Sequence, residues 1–166
     1  MRGIVIAVVI MAGVLVCSTA FSWQQWAYFQ ENHDGDTFKV AAFGGVINIR
    51  VAEIDCPEVA DSWGRWPGQP WAEEARAAAA AWLEGEPLRL VPTGVSGRRL
   101  VARVRAKGGR DLARALVRAG LAWVDPRYCR DRRLFALQAE ARQARRGLWS
   151  DPRPVPPWEW RRGGWR

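Results

Sequence analysis

Two glycine turns divide the stretch from Trp23 to Ile54 into three short segments, and this spacing constrains the fold more than any other feature. Asp34-Gly35 is a strong turn dipeptide, and Gly44-Gly45 turns the chain a second time. In the segments between the turns, side chains alternate with the two-residue period of a β-strand. The pattern therefore predicts a meander of three strands, over residues 23–30, 37–43 and 46–54.

The rest of the chain adds helices and two more strands. An unbroken alanine run, 77–81, predicts a helix over 70–83. Alternation and turn residues then predict strands over 87–92 and 100–106, a helix over 112–119 and a third helix over 131–146. Five short strands with a helix between the third and fourth favour a small closed barrel of the OB type. The predicted fold class is α+β, mainly a β-barrel, with five strands and three helices.

The two ends of the chain differ from this central domain. Residues 1–22 contain an apolar run after Arg2, which predicts either a cleaved signal peptide or a membrane anchor through residues 3–21. Both alternatives export the domain, to the periplasm, the medium or the outer side of the inner membrane. The domain is predicted over 23–150, and a tail rich in Pro, Trp and Arg over 151–166 is predicted to be unstructured or loosely docked.

Charge divides the chain into an acidic and a basic part. Of 25 Lys and Arg residues, 19 lie from Arg98 onward, where only 6 of the 17 Asp and Glu residues are found. Such an asymmetry favours an anionic polymer as partner on the basic side and a cation site on the acidic side. The alternative is a proteome that prefers arginine, and the two explanations are compatible.

The cysteines leave one question open. Once the leader with Cys17 is set aside, Cys56 and Cys129 remain, and two thiols in an oxidising compartment often pair. A disulfide between them is one hypothesis, and two ordinary buried thiols are the other.

Three carboxylates and two arginines have the residue types that phosphodiester cleavage requires. Carboxylates such as Asp36 and Asp55 bind hard cations through oxygen, and guanidiniums such as Arg50 hold phosphate oxygens with paired hydrogen bonds. A regular strand would direct Arg50 and Asp55 to opposite faces, because they are five residues apart. If they share a site, the strand must twist or bulge between them.

The order of these motifs resembles the thermonuclease family, the staphylococcal-nuclease-like domains, from about Trp23 to Trp149. The motifs are Asp34-Gly35-Asp36-Thr37, Arg50 with Asp55-Cys56-Pro57-Glu58, Gly97-Arg98-Arg99-Leu100 and Gly147-Leu148-Trp149. The resemblance implies an OB-type barrel and Ca²⁺-dependent hydrolysis of DNA and RNA. By position it implies Asp36, Asp55 and the backbone carbonyl of Cys56 as Ca²⁺ ligands. It also implies Glu58 as the residue that activates or orients water, with Arg50 and Arg98 on the scissile phosphate.

Further residues are candidates for substrate binding. Tyr128 matches one of two tyrosines that the family places against a base, and Arg127 and Arg130 belong to a dense basic run that suits a phosphate backbone. The expected function is an exported, monomeric Ca²⁺-dependent nuclease. The alternative is a non-catalytic nucleic-acid-binding module on the same fold, with or without a membrane tether.

Overall fold

The computed structural model describes residues 26–63 and 67–164. The predicted leader over 1–22 lies outside the described residues, and so do Cys17 and the membrane segment 3–21. Within the described part of the chain, no helix is both long and apolar enough to cross a membrane.

The described residues form seven strands and four α-helices. In chain order they are β1 (Trp26–Asn32), β2 (Thr37–Ala42), β3 (Gly45–Val51), β4 (Ile54–Asp55), α1 (Ala72–Leu83), β5 (Leu88–Ser96), β6 (Arg99–Ala106), α2 (Leu112–Ala119), β7 (Trp123–Val124), α3 (Arg132–Gln143) and α4 (Pro157–Trp160).

Five of these strands close into a barrel in the order β1-β2-β3-β6-β5. Neighbouring strands are antiparallel, except that β3 and β6 run parallel with Arg50 beside Val101. The connection from β3 to β5 carries α1, as the sequence predicted. The predicted five-stranded barrel is thereby confirmed, and α1, α2 and α3 correspond to the three predicted helices. The short helix α4 in the tail is additional, and β4 and β7 form a separate two-stranded sheet.

The barrel interior is filled by the apolar face of each strand. Phe38 and Val40 on β2 are buried, and so are Ile49 and Val51 on β3, as the two-residue period requires. The helices pack around this interior, and their apolar side chains join the same cluster. The opposite face of β3 remains free to carry Arg50 toward the site.

Glycine and aspartate define the ends of the later helices. The Asp111 side chain accepts a hydrogen bond of 3.1 Å from the Arg114 N–H and caps α2, and Gly120 ends that helix with a positive φ of 73°. A Cβ at Gly120 would lie 2.2 Å from the carbonyl oxygen of Arg146. The close approach of α2 to the chain after α3 therefore requires glycine here.

The tail is docked, and the prediction of an unstructured or loosely docked tail was wrong. Trp158 packs edge-on against Trp123, with ring centroids 5.9 Å apart. The Trp160 indole N–H donates a hydrogen bond of 2.8 Å to the Pro67 carbonyl. Trp158 packs against an apolar cluster on the domain (Trp123, Ala141, Leu148 and Trp149), and the apolar area buried there offsets the entropic cost of ordering the tail.

Candidate active site

The Asp34–Thr37 turn places Asp36 immediately before β2. One carboxylate oxygen of Asp34 accepts the backbone N–H groups of Asp36 at 2.9 Å and of Thr37 at 2.6 Å, which closes the turn. A Cβ at Gly35 would lie 2.8 Å from the Cys56 sulfur, so the glycine allows the turn to rest against the chain after β4. Local hydrogen bonding and close packing thus fix the position of Asp36.

Asp36 is fully buried, and each of its oxygens has partners. Oδ1 accepts from the Thr37 hydroxyl at 3.1 Å and from Nη1 of Arg50. Oδ2 accepts the backbone N–H of Cys56 at 2.6 Å. The two sequence motifs, 20 residues apart, therefore meet at this carboxylate.

Arg50 joins Asp36 to Asp55. Its second nitrogen donates to Oδ1 of Asp55 at 2.5 Å, and Asp55 has no exposed surface. Arg50 and Asp55 can meet because Glu53, between β3 and β4, adopts a left-handed conformation with a φ of 71°. The strand interruption that the sequence demanded between Arg50 and Asp55 is a turn at this residue.

Glu58 lies beside Asp55 and is positioned by Gln69. Gln69 Oε1 accepts the Glu58 backbone N–H at 3.1 Å, and the Gln69 N–H donates to the Glu58 carbonyl at 2.7 Å. The Glu58 carboxylate accepts a hydrogen bond from Nη1 of Arg161. The three predicted acids, Asp36, Asp55 and Glu58, are thus linked around two guanidiniums.

Arg161 is the site residue that sequence reasoning missed. Its Nη2 donates to Asp55 Oδ2 at 2.9 Å, although 106 residues separate the two. The sequence predicted only that the Trp- and Arg-rich tail is unstructured or loosely docked. No motif or residue spacing in the tail indicated that Arg161 would bind the Asp55 and Glu58 carboxylates of the same chain.

Burial determines the electrostatics of the acids. It raises the pKa of Asp36 well above its ordinary value against the opposing effect of Arg50, and Asp34 and Asp55 add to the increase. Burial also raises the pKa of Glu58, and Arg161 opposes that increase. With all four acids ionised, Asp34, Asp36, Asp55 and Glu58 exceed the two arginines by two negative charges.

The donor chemistry of this cluster fits a hard divalent cation. Carboxylate oxygens are the ligands that such ions prefer, and two excess negative charges match one divalent ion. Within the described residues, no group of three or more His, Cys, Asp or Glu side chains is arranged as a ready metal site. Arg50 and Arg161 supply the positive charge between the carboxylates instead.

The remaining predicted residues lie outside this hydrogen-bonded cluster. Arg98 is exposed in the two-residue turn between β5 and β6, where Ser96 pairs with Arg99. Within the described chain, its side chain has no ion pair or hydrogen bond with the carboxylates. Arg98 therefore lies at an exposed turn, free to meet a ligand from solvent.

The basic run after β7 divides into two environments. Arg127 forms an ion pair with Asp125 at 2.6 Å, and its guanidinium lies 5.4 Å from the ring of Tyr128, which is 70 % exposed. Arg130 instead lines a cavity of about 220 Å³ with Glu53, with charged residues of β6 and α2, and with Asp131 just before α3. The two arginines are thus not part of one continuous patch.

Both described cysteines are free thiols, so the disulfide hypothesis was wrong. Cys56 packs beneath the Asp34–Thr37 turn, whereas the Cys129 sulfur lies 3.7 Å from the Asp131 carbonyl. The two thiols are packed against different neighbours, and each is buried. The alternative of two ordinary buried cysteines describes the structure.

Comparison with known proteins finds sequence similarity to nucleases. The family model described as staphylococcal nuclease homologue matches residues 48–151. A protein of Escherichia coli O157:H7 named as an uncharacterized endonuclease is 36 % identical over 130 residues, which cover 77 % of this chain and 79 % of the relative. A micrococcal nuclease of Shigella flexneri is 33 % identical over 136 residues, 78 % of this chain and 76 % of the relative.

Proposed function

Because the chain belongs to the staphylococcal nuclease homologue family, we propose that it hydrolyses the phosphodiester bonds of DNA, RNA or both, with Ca²⁺ as its cofactor. The observation that carries the proposal is the cluster in which Arg50 joins the buried carboxylates of Asp36 and Asp55, with Glu58 beside them. A metal-dependent phosphodiesterase needs a cation site, a base and a donor for phosphate oxygens in one place, and the residues of this cluster have the side chains that these three roles require.

Each residue has a role that follows from its surroundings. Asp36 and Asp55, with the Cys56 carbonyl, would hold the cation, which when bound supplies charge neutralisation at the phosphate. Glu58 is partly exposed, and burial raises its pKa, so its carboxylate is suited to accept a proton from an attacking water. The Arg50 side chain is 18 % exposed, so its guanidinium can also donate to a phosphate oxygen that approaches from solvent.

Arg98 is proposed as the second arginine that contacts the scissile phosphate. It is exposed in the β5–β6 turn, and an exposed guanidinium there can approach a phosphate that is already held at Arg50. Tyr128 offers an exposed ring on which a base can stack, and Arg127 next to it adds positive charge. Arg130, in its separate cavity, would act on a more distant phosphate of a longer strand.

Substrate selection would rest on the backbone rather than on base sequence. The excess of arginine after residue 98 favours phosphate contacts, which carry no sequence information. We therefore propose little sequence specificity and a binding affinity that falls steeply as salt rises. An affinity that stays constant between low and high salt would contradict this part of the proposal.

Export and the monomeric state remain part of the proposal on sequence grounds. The apolar run after Arg2 is the basis for a signal peptide or an anchor through residues 3–21. N-terminal sequencing of the protein purified from its host compartment would distinguish the two. Recovery of the full-length chain from the cytoplasm would contradict export.

A non-catalytic binding module is the second candidate, and the residue set argues against it. A module that only binds has no need for Glu58 or for the costly burial of Asp36, yet both are present with Arg50, Asp55 and Arg98. The same fold without activity would keep the basic surface and lose one or more of these acids.

A plasmid digest in Ca²⁺ and in chelator tests the proposal. We expect cleavage that requires Ca²⁺, and a kcat about 10²–10³ lower in Arg98→Ala. Arg89→Ala is the matched control, because Arg89 is an exposed arginine of the same hairpin. Retained binding without cleavage in Ca²⁺ would favour the binding module, and an Arg98→Ala enzyme as fast as the control would remove Arg98 from the mechanism.

A further inference from the structure

The C-terminal tail lies beside the carboxylate cluster, and the loop between β4 and α1 holds it at both ends of α4. Gln69, which also positions Glu58, donates a hydrogen bond of 2.6 Å from its side-chain amide to the Val155 carbonyl. Trp160 is bound to the Pro67 carbonyl at 2.8 Å. The short helix α4 therefore spans the loop between β4 and α1 at the point where that loop borders the site.

The residue that follows α4 enters the cluster. The Arg161 guanidinium bridges Asp55 and Glu58, two residues proposed to hold the cation and to activate water. Its side chain is 32 % exposed, whereas those of its partners are 0 % and 13 % exposed. A partly exposed cation thus covers two buried anions from the solvent side.

This arrangement leaves Asp55 without a free oxygen. Oδ1 accepts from Arg50 and Oδ2 accepts from Arg161, and both distances are within 3 Å. A divalent cation that uses Asp55 Oδ2 has to replace the Arg161 contact, because one carboxylate oxygen cannot face both cations closely without strong repulsion between them. The guanidinium and a metal ion are therefore alternative occupants of one position.

We propose that Arg161 is an active-site residue supplied by the tail, a counter-ion that neutralises Asp55 and Glu58 until a divalent cation displaces it. This inference rests on the proposed function for the assignment of the cation position. It predicts that Arg161 stabilises the metal-free protein and raises the Ca²⁺ concentration needed to fill the site. Once displaced from Asp55, the Arg161 guanidinium would be available to a substrate phosphate.

The test compares Arg161→Gln with Arg162→Gln by calorimetric Ca²⁺ titration and by thermal unfolding without metal. Arg162 is exposed and adjacent, so its replacement removes the same charge without removing the bridge. We expect Arg161→Gln to bind Ca²⁺ about tenfold more tightly and to unfold at a lower temperature without metal, with Arg162→Gln within about twofold of wild type. Equal Ca²⁺ affinity in wild type and Arg161→Gln, or weaker binding in Arg161→Gln, would overturn the proposal.

A second measurement uses the unmodified full chain and so does not depend on how the variant folds. Hydrogen exchange of the 155–164 peptide, measured by mass spectrometry, should become faster when Ca²⁺ is added, because the bridge that holds Arg161 is broken. Exchange that is unchanged or slower in Ca²⁺ would contradict displacement. The plasmid digest on wild type is read separately: a chain that binds Ca²⁺ and releases its tail yet cuts no nucleic acid would refute the nuclease proposal alone.

Discussion

Replacing Arg50 by glutamine tests how the buried carboxylates are neutralised. The Asp36 and Asp55 side chains are 1 % and 0 % exposed, and Arg50 contacts both of them. The burial of Arg50 lowers its pKa, but the negative charges of Asp36 and Asp55 outweigh this effect and raise the pKa above its usual value. Glutamine keeps a hydrogen-bond donor and removes the charge, so the variant isolates the electrostatic contribution.

The expected loss of stability follows from the remaining partners. Removing one partner of a buried ion pair costs about 3–5 kcal/mol, because the other charge is left uncompensated. Asp55 keeps Arg161 at 2.9 Å, so one carboxylate, that of Asp36, loses its counter-charge. Asp36 also keeps the N–H of Cys56. We therefore expect the free energy of unfolding of the metal-free protein to fall by about 3 kcal/mol at neutral pH.

Urea unfolding followed by tryptophan fluorescence measures this loss, at pH 7.5 and at pH 5.5. Burial raises the pKa of Asp36 in the folded state, so the folded protein binds a proton there more readily than the unfolded chain does. Stability from this group is therefore lost as pH rises, and without Arg50 the effect grows. The difference between variant and wild type should be smaller at pH 5.5 than at pH 7.5.

Arg76→Gln is the matched control. Arg76 forms an exposed ion pair with Glu73 on α1, and such pairs contribute up to about 1 kcal/mol. If Arg50→Gln costs no more than this control at pH 7.5, Arg50 does not neutralise the buried acids and the electrostatic account of the site is wrong.

Three other predictions concern the site and its support. Glu58→Gln should lower kcat more than it weakens nucleic-acid binding, since the residue acts on the water; an equal effect on both would contradict that role. Gly120→Ala should cost about 2–3 kcal/mol in urea unfolding, because its φ is 73° and its Cβ would meet a carbonyl oxygen at 2.2 Å, whereas Gly94→Ala has open space. Asp131→Ala removes the α3 cap and should cost about 1 kcal/mol. The Arg133 N–H lowers the pKa of Asp131, so this cost should shrink as pH falls below about 4; a cost independent of pH would exclude the charged cap.

Much of the barrel was predictable because its signals are local. The turns at Asp34-Gly35 and Gly44-Gly45 lie where the strands end, and the helix over 112–119 was predicted with the bounds that the structure has. The strand over 46–54 was predicted too long, because Glu53 with its positive φ ends the pairing at Val51. A left-handed glutamate has no sequence signature, and only the packing around it selects that conformation.

The site likewise contains residues that the sequence predicted and one residue, Arg161, that it did not. The family resemblance implied that Asp36, Arg50 and Asp55 share a site, and the pairing of Thr37 with Arg50 on neighbouring strands brings the first two motifs together. The contribution of Arg161 depends on a contact between residues far apart in the chain. The position of Arg161 depends on the apolar surface of the domain against which Trp158 packs, and this surface exists only after the domain has folded.

The tight packing of Cys56 has a practical consequence. Cys56 is 2 % exposed, and the turn at Gly35 rests on its sulfur, so an alkylating reagent can reach it only when the turn lifts away. Burial raises the pKa of this thiol well above its usual value, which keeps the reactive thiolate scarce in the closed state. In a chain with Cys17→Ser and Cys129→Ser, the alkylation rate of Cys56 would report how often the Asp34–Thr37 turn lifts away from it. A bound cation should lower this alkylation rate.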